Sequence, residues 1–151
     1  MKETTLCYIE NSGRYLMLHR IKKENDINHG KWIGIGGKLE ECESPEECVV
    51  REIYEETNLK VYSLKYRGKV KFISDIYDDE IMHLYTANSE TDCISVCNEG
   101  ELKWIPKEDV LSLNLWEGDK VFLEYLLNGH KDFFEISLIY KGESLFEVIK
   151  E

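Results

Sequence analysis

Short unbroken apolar runs, Leu6–Ile9 within Thr4–Glu10 and Tyr15–Leu18 within Tyr15–Arg20, are bounded by polar residues, and both segments read as strands. Between them Asn11-Ser12-Gly13-Arg14 has the composition of a tight turn, so the pair reads as a hairpin. Ile21–Lys31 is polar and aperiodic, which predicts a mobile loop. A short strand around Trp32–Ile35 then runs into Gly36-Gly37, a turn where the backbone can take positive φ or admit a ligand closely. The period lengthens after Ser44. Ser44 is an N-cap residue, Pro45 suits the first helical position and Glu47 completes a capping box, so a helix is expected from Pro45 to Thr57, with Asn58 as its left-handed stop. Val61–Ser74, Ile81–Ala87 and Leu102–Ile105 read as strands, and Trp116–Leu127 as a second amphipathic helix. Phe133–Tyr140 and Ser144–Ile149 form a closing hairpin around Lys141-Gly142-Glu143.

Strands surrounding two separated helices predict an α/β fold, a mixed sheet with helices on its faces. The 151 residues show no linker, repeat or low-complexity block, so residues 1–151 are read as one domain. No apolar run approaches the length of a membrane span, and the first residues lack a signal-peptide layout, so neither membrane insertion nor export is expected. Thirty acids against 19 bases leave a net charge of -11, which argues against nucleic-acid or anionic-membrane partners. The five cysteines (Cys7, Cys42, Cys48, Cys93, Cys97) are odd in number and lack zinc spacing. They read as reduced thiols of a cytoplasmic protein.

The charge is concentrated. Between Glu40 and Asn58 stand eight glutamates (40, 41, 43, 46, 47, 52, 55, 56) and one base, Arg51. The helix dipole favours only the first few of these acids. Glu52, Glu55 and Glu56 lie beyond it and share about 100° of helix surface. Val49, Ile53 and Val50 form an apolar stripe beside them. Three carboxylates at the edge of a buried face repel one another unless a cation neutralises them, and oxygen-only ligands point to Mg²⁺ or Mn²⁺. Arg51 is placed to hold Glu47 or Glu55 one turn away. A solvated, charge-rich helix is the competing reading on composition alone, and no EF-hand spacing is present.

The segment Gly37-Lys38-Leu39-Glu40-Glu41-Cys42-Glu43, then seven residues, then Arg51-Glu52-Ile53-Tyr54-Glu55-Glu56-Thr57-Asn58-Leu59 resembles the Nudix box, G-x5-E-x7-R-E-U-x-E-E-x-G-U, with U a bulky apolar residue. Every charged position of the 23-residue pattern is filled, and Asn58 in place of the last glycine is the one departure. The resemblance implies an α/β/α sandwich with the box as loop–helix–loop. It also implies divalent-metal-dependent hydrolysis of a nucleoside diphosphate linked to another group, with a small-molecule nucleotide as partner. Carried over by position, Glu52, Glu55, Glu56 and the Gly36 carbonyl would hold the metal. Glu52 would also accept the proton of the attacking water, Arg51 would orient it, and Glu43 would support the site from the loop. Lys38 is a phosphate contact or a solvated lysine; Arg20, Lys22 and Lys23 are weaker phosphate candidates. Glu80, Glu99 and Glu101 are open alternatives for a catalytic glutamate outside the box.

Gly30–Lys38 and Leu115-Trp116-Glu117-Gly118-Asp119 look like the corresponding segments of MutT-type 8-oxo-dGTP diphosphatases. Trp116 either stacks on a base or anchors its helix, and Asp119 either bonds the base edge or serves the helix dipole. Ile33 stands where that branch can place a base-reading asparagine, and Gly118 where it has the first of two acids. Both departures imply weaker discrimination of oxidised bases. The expected activity is a nucleoside triphosphate pyrophosphohydrolase that releases nucleoside monophosphate and diphosphate, with 8-oxo-dGTP among the substrates considered. The alternatives are a hydrolase of ADP-ribose, a dinucleoside polyphosphate or a nucleotide sugar, or a nucleotide-binding module without turnover.

Overall fold

The computed structural model describes residues 1–151. Strands β1 (Lys2–Asn11) and β2 (Arg14–His19) form the expected hairpin, with Glu10 opposite Tyr15. The single strand expected at Trp32–Ile35 is two. β3 (Trp32–Ile33) pairs with β2, whereas β4 (Ile35–Lys38) pairs antiparallel with β1, so the chain changes partner at Gly34. Gly36 and Gly37 therefore lie within a strand rather than in a turn, and neither has positive φ. Close approach is what requires them. A Cβ on Gly36 would stand 1.9 Å from the Thr5 carbonyl oxygen, and one on Gly37 would stand 2.5 Å from the carboxyl carbon of Glu52.

The helix α1 (Pro45–Thr57) has the bounds expected of it. Ser44 Oγ accepts from the Glu47 amide at 3.1 Å, and the Glu47 carboxylate accepts from the Ser44 amide at 3.0 Å. Asn58 closes the helix at φ 61°, its amide donating to the Tyr54 carbonyl at 2.9 Å. The remaining elements are β5 (Val61–Ser74), β6 (Glu80–Ser89), β7 (Glu101–Pro106), α2 (Glu117–Leu127), β8 (Phe134–Lys141) and β9 (Ser144–Lys150), with one 3-10 turn over Lys107–Ser112. Sheet order is β3-β2-β1-β6-β5-β8-β9, with β4 also on β1 and β7 also on β2. The β1–β6 and β5–β8 pairs are parallel and the others antiparallel, so the sheet is mixed.

Alternation along β1 and β2 divides the apolar side chains between two faces. Leu6, Tyr8, Tyr15 and Met17 pack with Phe122 and Leu123 of α2. Cys7, Ile9, Leu16 and Leu18 pack with Val49 and Ile53 of α1. The result is the expected α/β/α sandwich. Val50 is a correction: it is 48% exposed, because it lies about 100° around the helix from Val49. The inward face is Cys48, Val49, Ile53, Thr57 and, about 20° around the helix from Val49, Glu56.

Gly36→Ala tests the close packing of β4 on β1. The added methyl meets backbone rather than a flexible side chain, so overpacking should cost about 1–3 kcal/mol or more. Urea denaturation reads this directly, and an unchanged midpoint would contradict the register.

Candidate active site on the acidic helix

Burial grades the three helix carboxylates. Glu56 is only 7% exposed, and neither of its oxygens has a hydrogen-bond partner of regular geometry. Desolvation and the neighbouring Glu99 carboxylate push its pKa up to about 10. Glu52 is half-buried, its carboxylate against Gly37, and burial raises its pKa despite the Arg51 guanidinium. Glu55 is exposed and leans on Arg51 at 3.3 Å, away from the cluster around Glu56. The structure thus sets Glu52 and Glu56 into the fold and leaves Glu55 at its rim.

Arg51 organises the approach. Its Nε and Nη2 donate to the two oxygens of Glu43 at 2.7 and 2.9 Å, a bidentate pair, and its Nη1 donates to Glu52 at 2.8 Å. Nη2 also reaches the Lys38 carbonyl at 3.3 Å. Glu43 accepts the Glu40 amide at 3.0 Å, and with Arg51 beside it its pKa is held down to about 2. Glu47, the other partner expected for Arg51, is instead engaged in the capping box.

Among the three glutamates outside the box, the structure singles out Glu99. Its carboxylate, the Glu56 carboxylate and Cys97 Sγ offer ligand atoms that all lie within 4.8 Å of one another. Glu80 accepts from Thr4 Oγ1 at 2.5 Å and raises the pKa of Asp119, so it belongs elsewhere. Glu101 is exposed on β7 opposite His19. Cys97 is the residue sequence reasoning missed, since only the fold of the β6–β7 loop carries it to Glu56. A buried carboxylate with two free oxygens, facing a second carboxylate and a thiol, fits a divalent cation.

A cleft of about 390 Å³ runs across the sheet; no residue of α1 lines it, and it adjoins the helix through Gly37, against which the Glu52 carboxylate lies. Gly36, Gly37, Lys38 and Arg20 line one end, Trp116, Asp119 and Tyr140 the other, with Ile33 also in its wall. Lys38 is exposed there. Arg20 binds Asp26 at 2.8 Å and lies 3.7 Å from Glu99. Lys22 donates to the Cys97 carbonyl at 2.6 Å, and Lys23 is exposed outside the cleft lining. Trp116 is half-buried, edge-on to Tyr140 at 5.8 Å, with the Lys31 ammonium 5.0 Å over its ring. Its Nε1 donates to Asn28 Oδ1 at 2.8 Å. The loop expected to be mobile is tied down by this bond, by Arg20–Asp26 and by Asn114 Nδ2 donating to the Gly30 carbonyl at 2.9 Å. Gly118 leaves no room for an acid: an added Cβ would meet the Tyr140 hydroxyl at 2.6 Å and Leu138 at 2.8 Å. That hydroxyl accepts the Gly118 amide at 2.7 Å at the start of α2. A second cleft of about 410 Å³, lined by Lys65, Arg67, Lys107 and Lys131, shares no residue with α1 or the first cleft.

The family model of the NUDIX domain matches residues 2–126. The chain is 28% identical over 134 residues to the uncharacterized Nudix hydrolase YvcI of Bacillus subtilis, covering 85% of this chain and 81% of that one. It is 28% identical over 111 residues to the oxidized purine nucleoside triphosphate hydrolase of Mus musculus, covering 72% and 70%. The crystal structure of a mutator MutT protein from Bacillus halodurans superposes with a TM-score of 0.87 at 25% identity, covering 100% of this chain and 98% of that one. The chain therefore belongs to the Nudix family. It is a hydrolase of phosphoric anhydrides that acts on nucleoside diphosphate derivatives, in a family whose members generally need a divalent metal.

Burial raises the pKa of Asp119 from 3.8 to about 7, with Glu80 adding to the rise and Lys31 opposing it. Between those values the folded chain keeps a proton that the unfolded chain has released, so stability should fall as pH rises from about 4 to 7. Asp119→Asn should remove that part of the slope, and melting temperatures of both proteins across this range are the check. Parallel slopes would contradict the burial.

Proposed function

We propose that this chain is a Mg²⁺-dependent nucleoside triphosphate pyrophosphohydrolase, with Mn²⁺ an alternative ion. The carrying observation is a cleft with an aromatic–acid pair, Trp116 and Asp119, in its lining together with Gly36, Gly37 and Lys38, the Glu52 carboxylate of the acidic helix lying just behind Gly37. Its volume, about 390 Å³, lies in the range of small-ligand sites. A nucleoside triphosphate laid along it places the base by Trp116 and Asp119 and the phosphates by Lys38 and Arg20.

Glu52, Glu56 and the Gly36 carbonyl hold the metal, Glu99 joins them from the β6–β7 loop, and Glu55 serves from the rim. When bound, the cation neutralises diphosphate charge and polarises the phosphoryl oxygen. Glu52 accepts the proton of the attacking water. Its raised pKa favours that role, and Arg51, clamped by Glu43, fixes the direction of its carboxylate. Water adds to phosphorus as the bridging P–O bond breaks, giving nucleoside monophosphate and diphosphate. Lys38 meets the phosphates electrostatically. The aliphatic Ile33 and the Tyr140-filled space at Gly118 leave Asp119 as the main polar reader of the base, so 8-oxo-dGTP is a substrate with only modest preference over dGTP. The reduced cysteines suit a cytoplasmic setting.

Glu52→Gln should lower kcat with Mg²⁺ by about a hundredfold or more. Glu56→Gln should lose the rise in melting temperature that Mg²⁺ gives the parent while melting no lower without metal, because it removes a buried group that must otherwise keep its proton. Full activity in both variants would sink the reading.

Trp116→Ala should raise KM for nucleoside triphosphates about tenfold, since a base–aromatic stack is worth on the order of 1–3 kcal/mol. An unchanged KM together with a loss of stability would make Trp116 only an anchor of α2. The substrate question needs a product-identified hydrolysis screen of dGTP, 8-oxo-dGTP, ADP-ribose and dinucleoside polyphosphates. A hundredfold preference for 8-oxo-dGTP, or exclusive cleavage of ADP-ribose, would contradict the assignment of the base end.

A further inference from the structure

The thiol of Cys97 stands where the metal ligands of the box face the β6–β7 loop. Its Sγ, a Glu56 oxygen and a Glu99 oxygen are mutually within 4.8 Å. Two observations separate this cluster from a chance gathering of acids. Glu56 is more than nine-tenths buried with both oxygens unpartnered, and both belong to the carboxylate that faces the cluster. Cys97 is itself buried and already accepts the Glu99 amide on its sulfur at 3.5 Å, a bond that fixes the side chain and suits a sulfur carrying negative charge. The Arg20 guanidinium, 3.7 Å from Glu99, and Lys22, on the Cys97 carbonyl at 2.6 Å, add positive charge around it.

From this geometry we infer that Glu56, Cys97 and Glu99 form a mixed thiolate–carboxylate site that takes a thiophilic divalent cation, Zn²⁺, Co²⁺ or Cd²⁺, in competition with the oxygen-seeking ion of hydrolysis for the two shared carboxylates. Two carboxylates alone favour Mg²⁺ or Mn²⁺; a thiolate moves the preference toward softer ions. A zinc-sized ion sits about 2.0–2.3 Å from oxygen and sulfur ligands. Tetrahedral placement asks ligand atoms to be roughly 3.5 Å apart, so the three groups draw closer together around the ion. Three protein ligands leave one position open to water. On binding, the Cys97 thiol gives its proton to solvent and the Sγ–metal bond forms in its place, without oxidation of either partner.

Cadmium alone, titrated into the full chain without nucleotide, supplies the test through its thiolate-to-metal charge-transfer absorption in the ultraviolet. The expected result is a band that saturates near one equivalent, is absent in Cys97→Ser and persists in Cys93→Ser, whose thiol is exposed on the same loop. Glu99→Gln should keep the band but weaken cadmium binding tenfold or more, and this variant leaves the buried thiol untouched should Cys97→Ser fold poorly. A parent chain with no band, or a band retained in Cys97→Ser, overturns the inference. A Glu99→Gln affinity equal to the parent's removes Glu99 from the ligand set and overturns it as stated. The inference shares Glu56 and Glu99 with the hydrolytic reading, yet the band reports ligands and not turnover. Failure to hydrolyse nucleoside triphosphates would leave it standing, and a missing band would leave Mg²⁺-dependent hydrolysis standing.

Discussion

Glu56 falls beside Val49 on the inward side of α1, so docking that helix on the sheet removes both of its oxygens from water. An ionised carboxylate in that position costs several kcal/mol unless something of opposite charge meets it. The one guanidinium of the helix does not, because it is committed to Glu43, Glu52 and Glu55. Glu99 and Glu52 add repulsion from the open side. Two species can relieve the strain, a proton or a cation. The pKa near 10 describes the first, and the requirement of the family for a divalent metal describes the second. The helix is held to the sheet by its aliphatic residues, and their packing energy is what keeps a carboxylate where water cannot stabilise it.

The same residue type is driven in opposite directions within fourteen positions. Glu43 is held down to about 2 and Glu56 is pushed up to about 10. The difference is the placement of Arg51. Its bidentate hold on Glu43 makes a permanent anion of a loop residue, which then acts as a fixed post for the guanidinium. Arg51 Nη1 in turn sets the direction of Glu52, against Gly37. Gly37 belongs to this arrangement as much as the charged residues do, since any side chain there would displace the Glu52 carboxylate. Paired carboxylates whose surroundings separate their proton affinities are the means by which one site holds both a supporting anion and a group able to take up a proton.

Helix α1 was legible to its last residue because its signals are local: Ser44, Pro45, Glu47 and Asn58 each act within a turn of their own position. The strands were legible to within a residue or two for the same reason. What the sequence hid depends on contacts distant along the chain. The break at Gly34 arises because β3 and β4 choose different partners, β2 and β1. Val50 and Glu56 exchange their expected places because helical rotation sets burial, and a glutamate at the centre of an apolar face defeats any rule that reads polarity as exposure. Glu99 could not be told from Glu80 and Glu101 by neighbours in sequence. It is distinguished by a loop that brings it and Cys97 over Glu56 from more than forty residues away. The loop at Ile21–Lys31 looked free because it is polar, yet its polar groups are spent on bonds to Trp116, Asn114 and itself.

The far end of the cleft follows from a similar exchange. Tyr140 places its ring edge-on to Trp116 and its hydroxyl on the Gly118 amide, filling the space that a second acid would need. Asp119 is left as a buried acid beside Glu80, and that pairing with burial brings its proton affinity to the neutral range. A carboxyl poised there can donate or accept a hydrogen bond at little cost, so it does not by itself demand one pattern on a base edge. Ile33 contributes shape without polarity. If the base sits here as proposed, binding comes from the flat indole and the enclosing aliphatic wall, which accept many bases, while discrimination would require a buried group left unpaired by the wrong one. On the proposed reading, the chemistry at the acidic helix is fixed by clamped charges, while recognition of the base rests on a single adjustable one. Breadth toward bases and strictness toward phosphoric anhydrides are what the proposed reading then requires of the protein.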